Sequence, residues 1–413
     1  MPPASRIILA GVGLLTPLGH SAWQTFTALL AGRSFTDRAA ALPSAIAPVD
    51  LIRALGCVSV TPHAGTDPAI ELADRAAREA LLEAGIGERD ETCPIFLGTS
   101  KGAIATFQPS AAEAQPVSPQ RRVTLASSRP APLHALALGP HAYLAAELQR
   151  RLGMPVLSHV VAACASSLVA LHHARQHLLH DRSHDHALVL TSEAALTPLF
   201  IHSYDRLGVL APLTTTDYRS RPLDERRTGF ALAEQAAAVV LKRVDTPPAP
   251  GEIELLDTRI GSESFDIVRP APRMTALEQL ARDLVGDSPV DMIHPHAPGT
   301  PDHDPAELAA YAALFTSPGG ARPPLASSRT PDVYACKGAI GHGLGAAGLA
   351  ALVLACLIAR TGRRPPMPWL AQPIQVEPFK LSAAPAPVRE RRTHAVFAAG
   401  FAGHLAGALI HRC

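Results

Sequence analysis

Residues 159–174 read HVVAACASSLVALHHA, and the change of period inside this stretch decides the fold. The run PVLSHVV at 155–161 is β-branched and apolar, as a buried strand is. From Ser166 onward, Leu168, Leu171 and Leu178 fall at helical spacing. A strand therefore passes into a helix through a few small residues, and Cys164 stands at the turn. A helix N-terminus offers free N–H groups and the positive end of a dipole, which favour a thiolate or an oxyanion. Ala163, Ala165, Ser166 and Ser167 leave room for a reactant to approach. A free cysteine is equally at home as a small buried hydrophobe, so the turn alone does not make Cys164 a nucleophile.

Outward from this stretch the same alternation continues. Strand-like runs RIILAGVGL, PIFLGTS and HALVLTSEA are interleaved with helix-like AWQTFTALLAG, DPAIELADRAAREALLEAGI and PHAYLAAELQRRLG, an α/β pattern with buried strands. The Pro-rich turn RVDTPPAPGE at 243–252 interrupts it. The pattern then restarts with IELLDTRIG, ALEQLARDLV, VDMIHPH, PAELAAYAALF and a Gly/Ala-rich helix near 343–360. The expectation is a duplicated unit, with halves at 1–246 and 247–413. Thr106–Pro132 and Arg360–Arg391 lack sustained periodicity, and loops of such length are usually functional covers or mobile segments.

Composition narrows the function. The 413 residues carry 37 Lys+Arg against 36 Asp+Glu, a net charge of +1, so there is no broad basic footprint for nucleic acid. The six cysteines lie far apart with no CxxC pair, which argues against a disulfide framework or a zinc site and points to reduced thiols in a cytoplasm. RIILAGVGLLTPLGHSA near the N-terminus has the outline of a signal peptide, but its β-branched start and Thr-Pro-Leu-Gly turn fit a buried strand and loop better. GLGAAGLAALVLACLIA comes closest to a membrane span, and its small residues fit a core helix.

Three later clusters bear on Cys164. DMIHPHAPGTPDHDPAEL puts His296 at a strand end, with Asp304 and Glu307 on the turn and helix that follow. YACKGAIGHGLGAAG puts Lys337 and His342 in a Gly-rich turn entering a helix, and VFAAGFAGHLAGALI puts Phe401 in a turn of small residues. A thiol, two histidines and a lysine form a plausible acyl-transfer set.

Taken in order, these blocks resemble the β-ketoacyl-acyl carrier protein synthases, the condensing enzymes of fatty acid and polyketide assembly. The resemblance runs through GVGLLTPLG, ACASSLVAL, SRPLDERRTGFALAEQAAAVVL, HPHAPGTPDHDPAE, KGAIGHGLGAAG and GFAGH, nearly the whole chain. It implies a thiolase-like α/β fold of two layered halves (αβαβα). It implies that Cys164 takes the acyl chain as a thioester, with its own N–H and that of Phe401 as the oxyanion hole. His296 and His342 would stabilise the enolate left when a malonyl extender loses carbon dioxide, and Lys337 and Glu307 would form a buried pair orienting them. It implies no metal or redox cofactor, phosphopantetheine arriving on an acyl carrier protein, and a homodimer or a heterodimer with a second ketosynthase-like subunit, without nucleic acid or membrane insertion.

The departures are as informative. Where the family has Gly-Thr-Gly/Ser-Thr after the first histidine, this chain has Ala297, Pro298, Gly299 and Thr300, leaving Thr300 alone for the pantetheine arm. The C-terminal Asn-Ser-Phe-Gly-Phe-Gly-Gly-Thr-Asn becomes residues 397–405, FAAGFAGHL, and AEQAA at 233–237 replaces GEGA. These changes point to a divergent branch with specialised substrates.

Other readings compete. Such decay also suits a subunit that shapes a chain-length tunnel, or an acyltransferase that no longer condenses. Gly98-Thr99-Ser100-Lys101-Gly102 has the outline of a nucleophile elbow, which would make Ser100 the centre of a serine hydrolase. His172, His173, His177, His180, His184 and His186 crowd one region, and His173, His177 and Asp181 have metal-pair spacing, although a solvated or partner-facing surface is the plainer reading. The arginines at 121/122, 363/364 and 389/391/392 are candidate docking patches for an acidic carrier.

Overall fold

The computed structural model describes residues 5–413 apart from 44–45, 59–65, 88, 108–132, 213, 215–217, 316–329 and 389–391. Its strands are β1 (Arg6–Leu15), β2 (Ile95–Gly98), β3 (Val156–Val160), β4 (His186–Glu193), β5 (Gln235–Val244), β6 (Ile253–Ser262), β7 (Met292–His294), β8 (Asp332–Val333), β9 (Arg363–Arg364), β10 (Ala386–Pro387), β11 (Thr393–Gly400) and β12 (His404–Arg412). Its helices are α1 (Ala22–Leu30), α2 (Pro48–Gly56), α3 (Pro68–Ala84), α4 (Leu133–Leu152), α5 (Ser166–His180), α6 (Pro198–Arg206), α7 (Thr275–Val285), α8 (His303–Ala312), α9 (Lys337–Ile340) and α10 (Ala347–Thr361).

Ten strands form one continuous sheet in the order β3-β2-β4-β5-β1-β6-β12-β11-β7-β8, and β9 and β10 form a separate ribbon. Counting strands within each half, the first five run 3-2-4-5-1 and the last five, read from the opposite edge, run 3-2-4-5-1 again. The two meet where β1 pairs with β6 at Ile8 and Glu254. The repeat extends to the helices that enter each half. Ala163–Ala165 form a 3₁₀ turn leading into α5, and Leu344–Ala346 form one leading into α10, both helices being 15 residues long. Ala163 and Leu344, the first residues of those turns, have φ of 47° and 46°. Cys164 in the first half is thus the counterpart of Gly345 in the second.

Burial explains the layering. α3 and α4 cover one face of the first half, α7 and α8 flank the second, and α5 and α10 pack against strands of both. Side-chain alternation supplies both faces: Leu188 and Leu190 of β4 point to the α3/α4 core, while Ala187 and Val189 point to the inner layer. This αβαβα stack is the thiolase-like architecture. α10 is buried from Ala347 to Ala359, which accounts for its all-apolar sequence. Leu344–Thr361 is long and apolar enough to cross a membrane, and 89% of it is packed inside the fold.

The Pro-rich segment after α10 is neither loose nor a lid. Met367, Leu370, Ile374 and Phe379 are buried, Trp369 donates its indole N–H to the Pro222 carbonyl at 3.2 Å, and Asp224 accepts from the N–H groups of Ala371 and Gln372. Of the other irregular segment, only Thr106 and Phe107 fall among the described residues, and Thr106 bonds Asp67.

Candidate active site

The turn that carries Cys164 is held from three sides. The Ser166 hydroxyl accepts from Ala162 N at 2.8 Å and donates to the Ala163 carbonyl at 2.7 Å, closing the elbow on itself. Gly98, at the end of β2, admits the first turn of α5, because a Cβ there would stand 2.4 Å from the Ser166 carbonyl oxygen. Gly400, at the end of β11, does the same on the opposite side: a Cβ would lie 3.0 Å from Cys164 N. The chain from Gly400 to Phe401 is thereby pressed against the Cys164 turn.

His296 and His342 arrive from the second half. His296 follows β7, and its backbone is gripped twice. Glu307 of α8 accepts from His296 N at 2.6 Å and from Ala297 N at 2.7 Å, while the Lys337 ammonium donates to the His296 carbonyl oxygen. Tyr311 completes the carboxylate's shell at 2.7 Å, and His303 lies 3.4 Å away. The expected Lys337–Glu307 ion pair is not formed. Both side chains are drawn instead to the polar backbone of the positive-φ turn at 296–297, whose N–H and C=O groups would otherwise be buried without partners.

His342 is fixed by the first half. Its N–H donates to the Ala231 carbonyl at 2.8 Å and its carbonyl accepts from Ala233 N at 3.2 Å, while the Phe230 ring lies edge-on at 4.8 Å. Gln235 donates to the carbonyls of Ile340 and Gly341, both at 3.0 Å, and so holds the turn leading to His342. The departure at AEQAA therefore has a structural use. Leu344 N donates to His342 Nδ1 at 3.1 Å.

The result is one cluster. The two imidazole rings stand 5.3 Å apart at 74°, and a ring nitrogen of each lies with the Cys164 sulfur within 4.8 Å of one another. All three residues are buried and line a cavity of about 520 Å³. Phe401, Thr300 and Pro298 line the same cavity, and its exposed rim carries Phe265, Ile267, Arg206 and Arg269.

Burial sets the protonation states. It pushes the Cys164 thiol up to about 12, against the pull of Lys337 and Lys101. Desolvation therefore opposes the thiolate that the helix N-terminus was expected to favour. Burial, with the Lys337 ammonium next, holds His296 and His342 well below the usual imidazole range, so both are neutral. Burial also lowers Lys337. Glu307 resists burial, because His303 beside it and the bonds from Ala297 and Tyr311 hold it below the usual carboxyl value.

The sequence reading did not single out Glu193, the last residue of β4. It is buried behind the Cys164 turn, accepts from the Ser100 N–H, and is pushed by burial up to about 7. A Cβ on Gly345 would meet its carboxylate at 2.5 Å and the Ala163 carbonyl at 3.3 Å, which marks how close the carboxylate comes to the elbow. The signal was a lone acid ending a strand that is buried from Ala187 on. Ser100 itself is no nucleophile elbow: among the described residues no histidine meets its buried hydroxyl, and His141 reaches its carbonyl instead, at 3.3 Å.

The family models for the beta-ketoacyl synthase N-terminal domain and C-terminal domain match residues 57–246 and 254–370. The chain belongs to the beta-ketoacyl synthase family. Among curated relatives of this synthase, the 3-oxoacyl-[acyl-carrier-protein] synthase 2 of Coxiella burnetii is 27% identical over 417 residues, covering 96% of this chain and 95% of that one. The 6-methylsalicylic acid synthase of Aspergillus niger is 32% identical over 213 residues, half of this chain but 12% of that far longer protein. Among solved structures, the ketosynthase from module 6 of the bacillaene synthase of Bacillus subtilis 168 superposes with a TM-score of 0.75 at 19% identity, over 99% of this chain and 72% of that one. The ishigamide ketosynthase/chain length factor gives 0.74 at 20%, over 99% and 100%. Both likenesses speak for the fold alone.

Of the sequence-derived arginine patches, Arg121, Arg122, Arg389 and Arg391 lie outside the described residues. Arg363 and Arg392 are exposed, but Arg364 is buried and spends its guanidinium on the carbonyls of Pro365, Ser382 and Ala384, so 363/364 is no surface pair.

Proposed function

We propose that this synthase joins an acyl thioester to a malonyl thioester delivered on an acyl carrier protein, and that Cys164, His296 and His342 do the chemistry. The observation that carries the proposal is their convergence at one buried cavity, with neutral imidazoles beside a protonated thiol.

Cys164 attacks the acyl thioester carbonyl, the carrier thiolate leaves, and the thiol proton must be taken as the bond forms. His342 is the donor of the pair. With Nδ1 accepting from Leu344 N, its proton sits on Nε2. His296 Nδ1 is buried without a partner, so its tautomer is free, and it is the imidazole that takes the Cys164 proton. That proton then goes to the departing carrier thiolate.

In the second half-reaction the malonyl carboxylate leaves as carbon dioxide and its electron pair becomes an enolate, whose oxygen receives hydrogen bonds from both imidazoles. Positioned donors of this kind are worth roughly 3–4 kcal/mol each. The enolate carbon attacks the acyl-Cys164 carbonyl, and the oxyanion is held by the N–H groups of Cys164 and Phe401. Collapse expels the Cys164 thiolate, which takes a proton from solvent. Lys337 and Glu307 act through the His296 backbone.

Exposed Arg206 and Arg269 at the rim supply positive charge for an acidic carrier, and Thr300 is the hydroxyl left for the arm. β3 is an edge strand with Leu157, and Val161 just after it, half exposed, a surface suited to pairing with a second subunit, identical or ketosynthase-like. The halves divide within 245–252, between β5 and β6.

Intact-protein mass spectrometry after mixing with acyl-carrier thioesters and then malonyl-carrier protein tests this reading. An acyl adduct on Cys164 that disappears as an elongated β-ketoacyl carrier appears supports condensation. An adduct that persists favours the acyltransferase or partner-dependent reading, and no adduct overturns catalysis at Cys164.

A further inference from the structure

The far end of α5, the helix that starts two residues after Cys164, carries a second cluster with no part in the reaction. The i, i+4 pair of His173 and His177 does not form. His173 turns to the Ser158 hydroxyl at 3.3 Å, while His177 meets His184 from the loop after the helix. Asp181, directly after α5, stands between them in sequence. One ligand atom from each of His177, Asp181 and His184 lies within 4.8 Å of the others.

The cluster is held in place by its surroundings. Arg243 donates to the carbonyls of Leu178 and Asp181, both at 3.0 Å, and pairs with Asp185, which ties the helix end and the loop to β5. Ser183 N bonds Asp181 Oδ1 at 2.8 Å, and the His177 ring is tilted against Phe96 at 5.4 Å and His184 at 5.1 Å. The side chains lie at the surface, with Asp181 half exposed and His177 partly covered, so small rotations are open to them.

The separation of the two imidazoles fits a metal ion. His177 Nε2 and His184 Nδ1 are 3.0 Å apart. Two imidazole nitrogens at about 2.0–2.1 Å from one ion stand roughly 2.9–3.4 Å apart for angles between square and tetrahedral. Asp181 Oδ2 lies 3.8 Å from Nδ1, the other nitrogen of the His177 ring, and the Ser183 hydroxyl lies 2.7 Å from His184 Nδ1, so binding an ion between His177 Nε2 and His184 Nδ1 swings the carboxylate inward and turns the hydroxyl away. Two imidazoles and a carboxylate are the donor set of borderline divalent cations, and the order of affinities favours copper, nickel and zinc over magnesium or calcium. We propose that His177, Asp181 and His184 form a surface site for a divalent cation of the zinc class, which clamps the C-terminal end of α5 to the loop entering β4.

The test uses the full chain stripped with a chelator and titrated with Zn²⁺ against a chromophoric competitor, with Co²⁺ absorption as a second readout. The expected result is one ion per chain, at least tenfold weaker binding in His177→Ala and in His184→Ala, a smaller loss in Asp181→Asn, and no change in His173→Ala or His180→Ala. Zn²⁺ also raises Tm of the parent but not of His184→Ala. The His184 variant lies in a loop and keeps the test valid if His177→Ala disturbs α5. Binding unaffected by His184→Ala overturns the site. So does a sulfur-to-cobalt charge-transfer band, which would put the ion on Cys164.

Discussion

The Leu344 N–H donates to Nδ1 of His342 over 3.1 Å, whereas Nδ1 of His296 is buried with no partner among the described residues. Two chemically identical side chains are thereby made unlike. One is locked as a donor into the cavity, and the other keeps a lone pair that can move.

His342→Gln is expected to spare acyl loading to within a few-fold while cutting malonyl decarboxylation by about 10²–10³, the usual loss when one positioned donor is removed. His296→Ala slows both steps, because it removes the proton acceptor as well as a donor. Single-turnover loading and carbon dioxide release from malonyl-carrier protein separate the two. Equal losses at both steps in His342→Gln would contradict the division of labour.

Burial sets Cys164 at about 12, so the free enzyme holds almost no thiolate at neutral pH. Alkylation of Cys164 by iodoacetamide, followed at its own peptide, should climb about tenfold per pH unit from pH 7 to 10 with no plateau. A plateau near pH 8 would mean that the α5 N-terminus and Lys337 stabilise the thiolate more than desolvation opposes it.

Much of this architecture was legible in local pattern. PVLSHVV followed by Leu168, Leu171 and Leu178 placed β3 and α5 because a β-branched run passing into helical spacing is a local property, but the expected buried strand lies half exposed at the sheet edge, and which strand ends a sheet is not local. The residues gathered at the cavity were found through ordered blocks that resemble a family, since no local rule links Cys164 to His342. Their electrostatics escaped for the same reason: desolvation of Cys164 depends on packing from both halves. The resemblance implied Lys337 and Glu307 as a buried pair, but not that they meet through the backbone of His296 and Ala297 rather than directly, because an orphaned backbone carbonyl leaves no mark in a sequence. Gln235 looked like decay in the AEQAA block, and only the position of the Ile340 and Gly341 carbonyls gives its amide a purpose.

Glu193 should leave a mark on stability. Its value in the folded chain, about 7, stands above the ordinary 4.5, so between those limits the folded chain holds a proton that the unfolded chain has released. Stability from this group is complete below pH 4.5 and is lost as the pH rises through 7, at up to about 1.4 kcal/mol per unit. The buried neutral histidines slope the other way. The difference between parent and Glu193→Gln isolates the carboxylate: denaturant melts at pH 5, 6, 7 and 8 should show the variant gaining relative to the parent as pH rises. A constant difference would show that Glu193 is ionised in the folded chain throughout.

Pro298 lies on the cavity wall beside Thr300, where the family pattern has a threonine. A proline offers neither a hydroxyl nor an N–H, so an arm passing this wall loses one hydrogen bond, a difference of about 1 kcal/mol when both ends are otherwise satisfied. Pro298→Thr restores the hydroxyl without touching Cys164, His296 or His342. If the arm runs along this wall, KM for malonyl-carrier protein should fall about three- to tenfold with kcat little changed, because the added contact acts equally on bound substrate and transition state. A change in kcat with KM constant would instead mean that Pro298 acts on the geometry of His296, two residues before it. An unchanged pair of constants would place the arm elsewhere in the cavity.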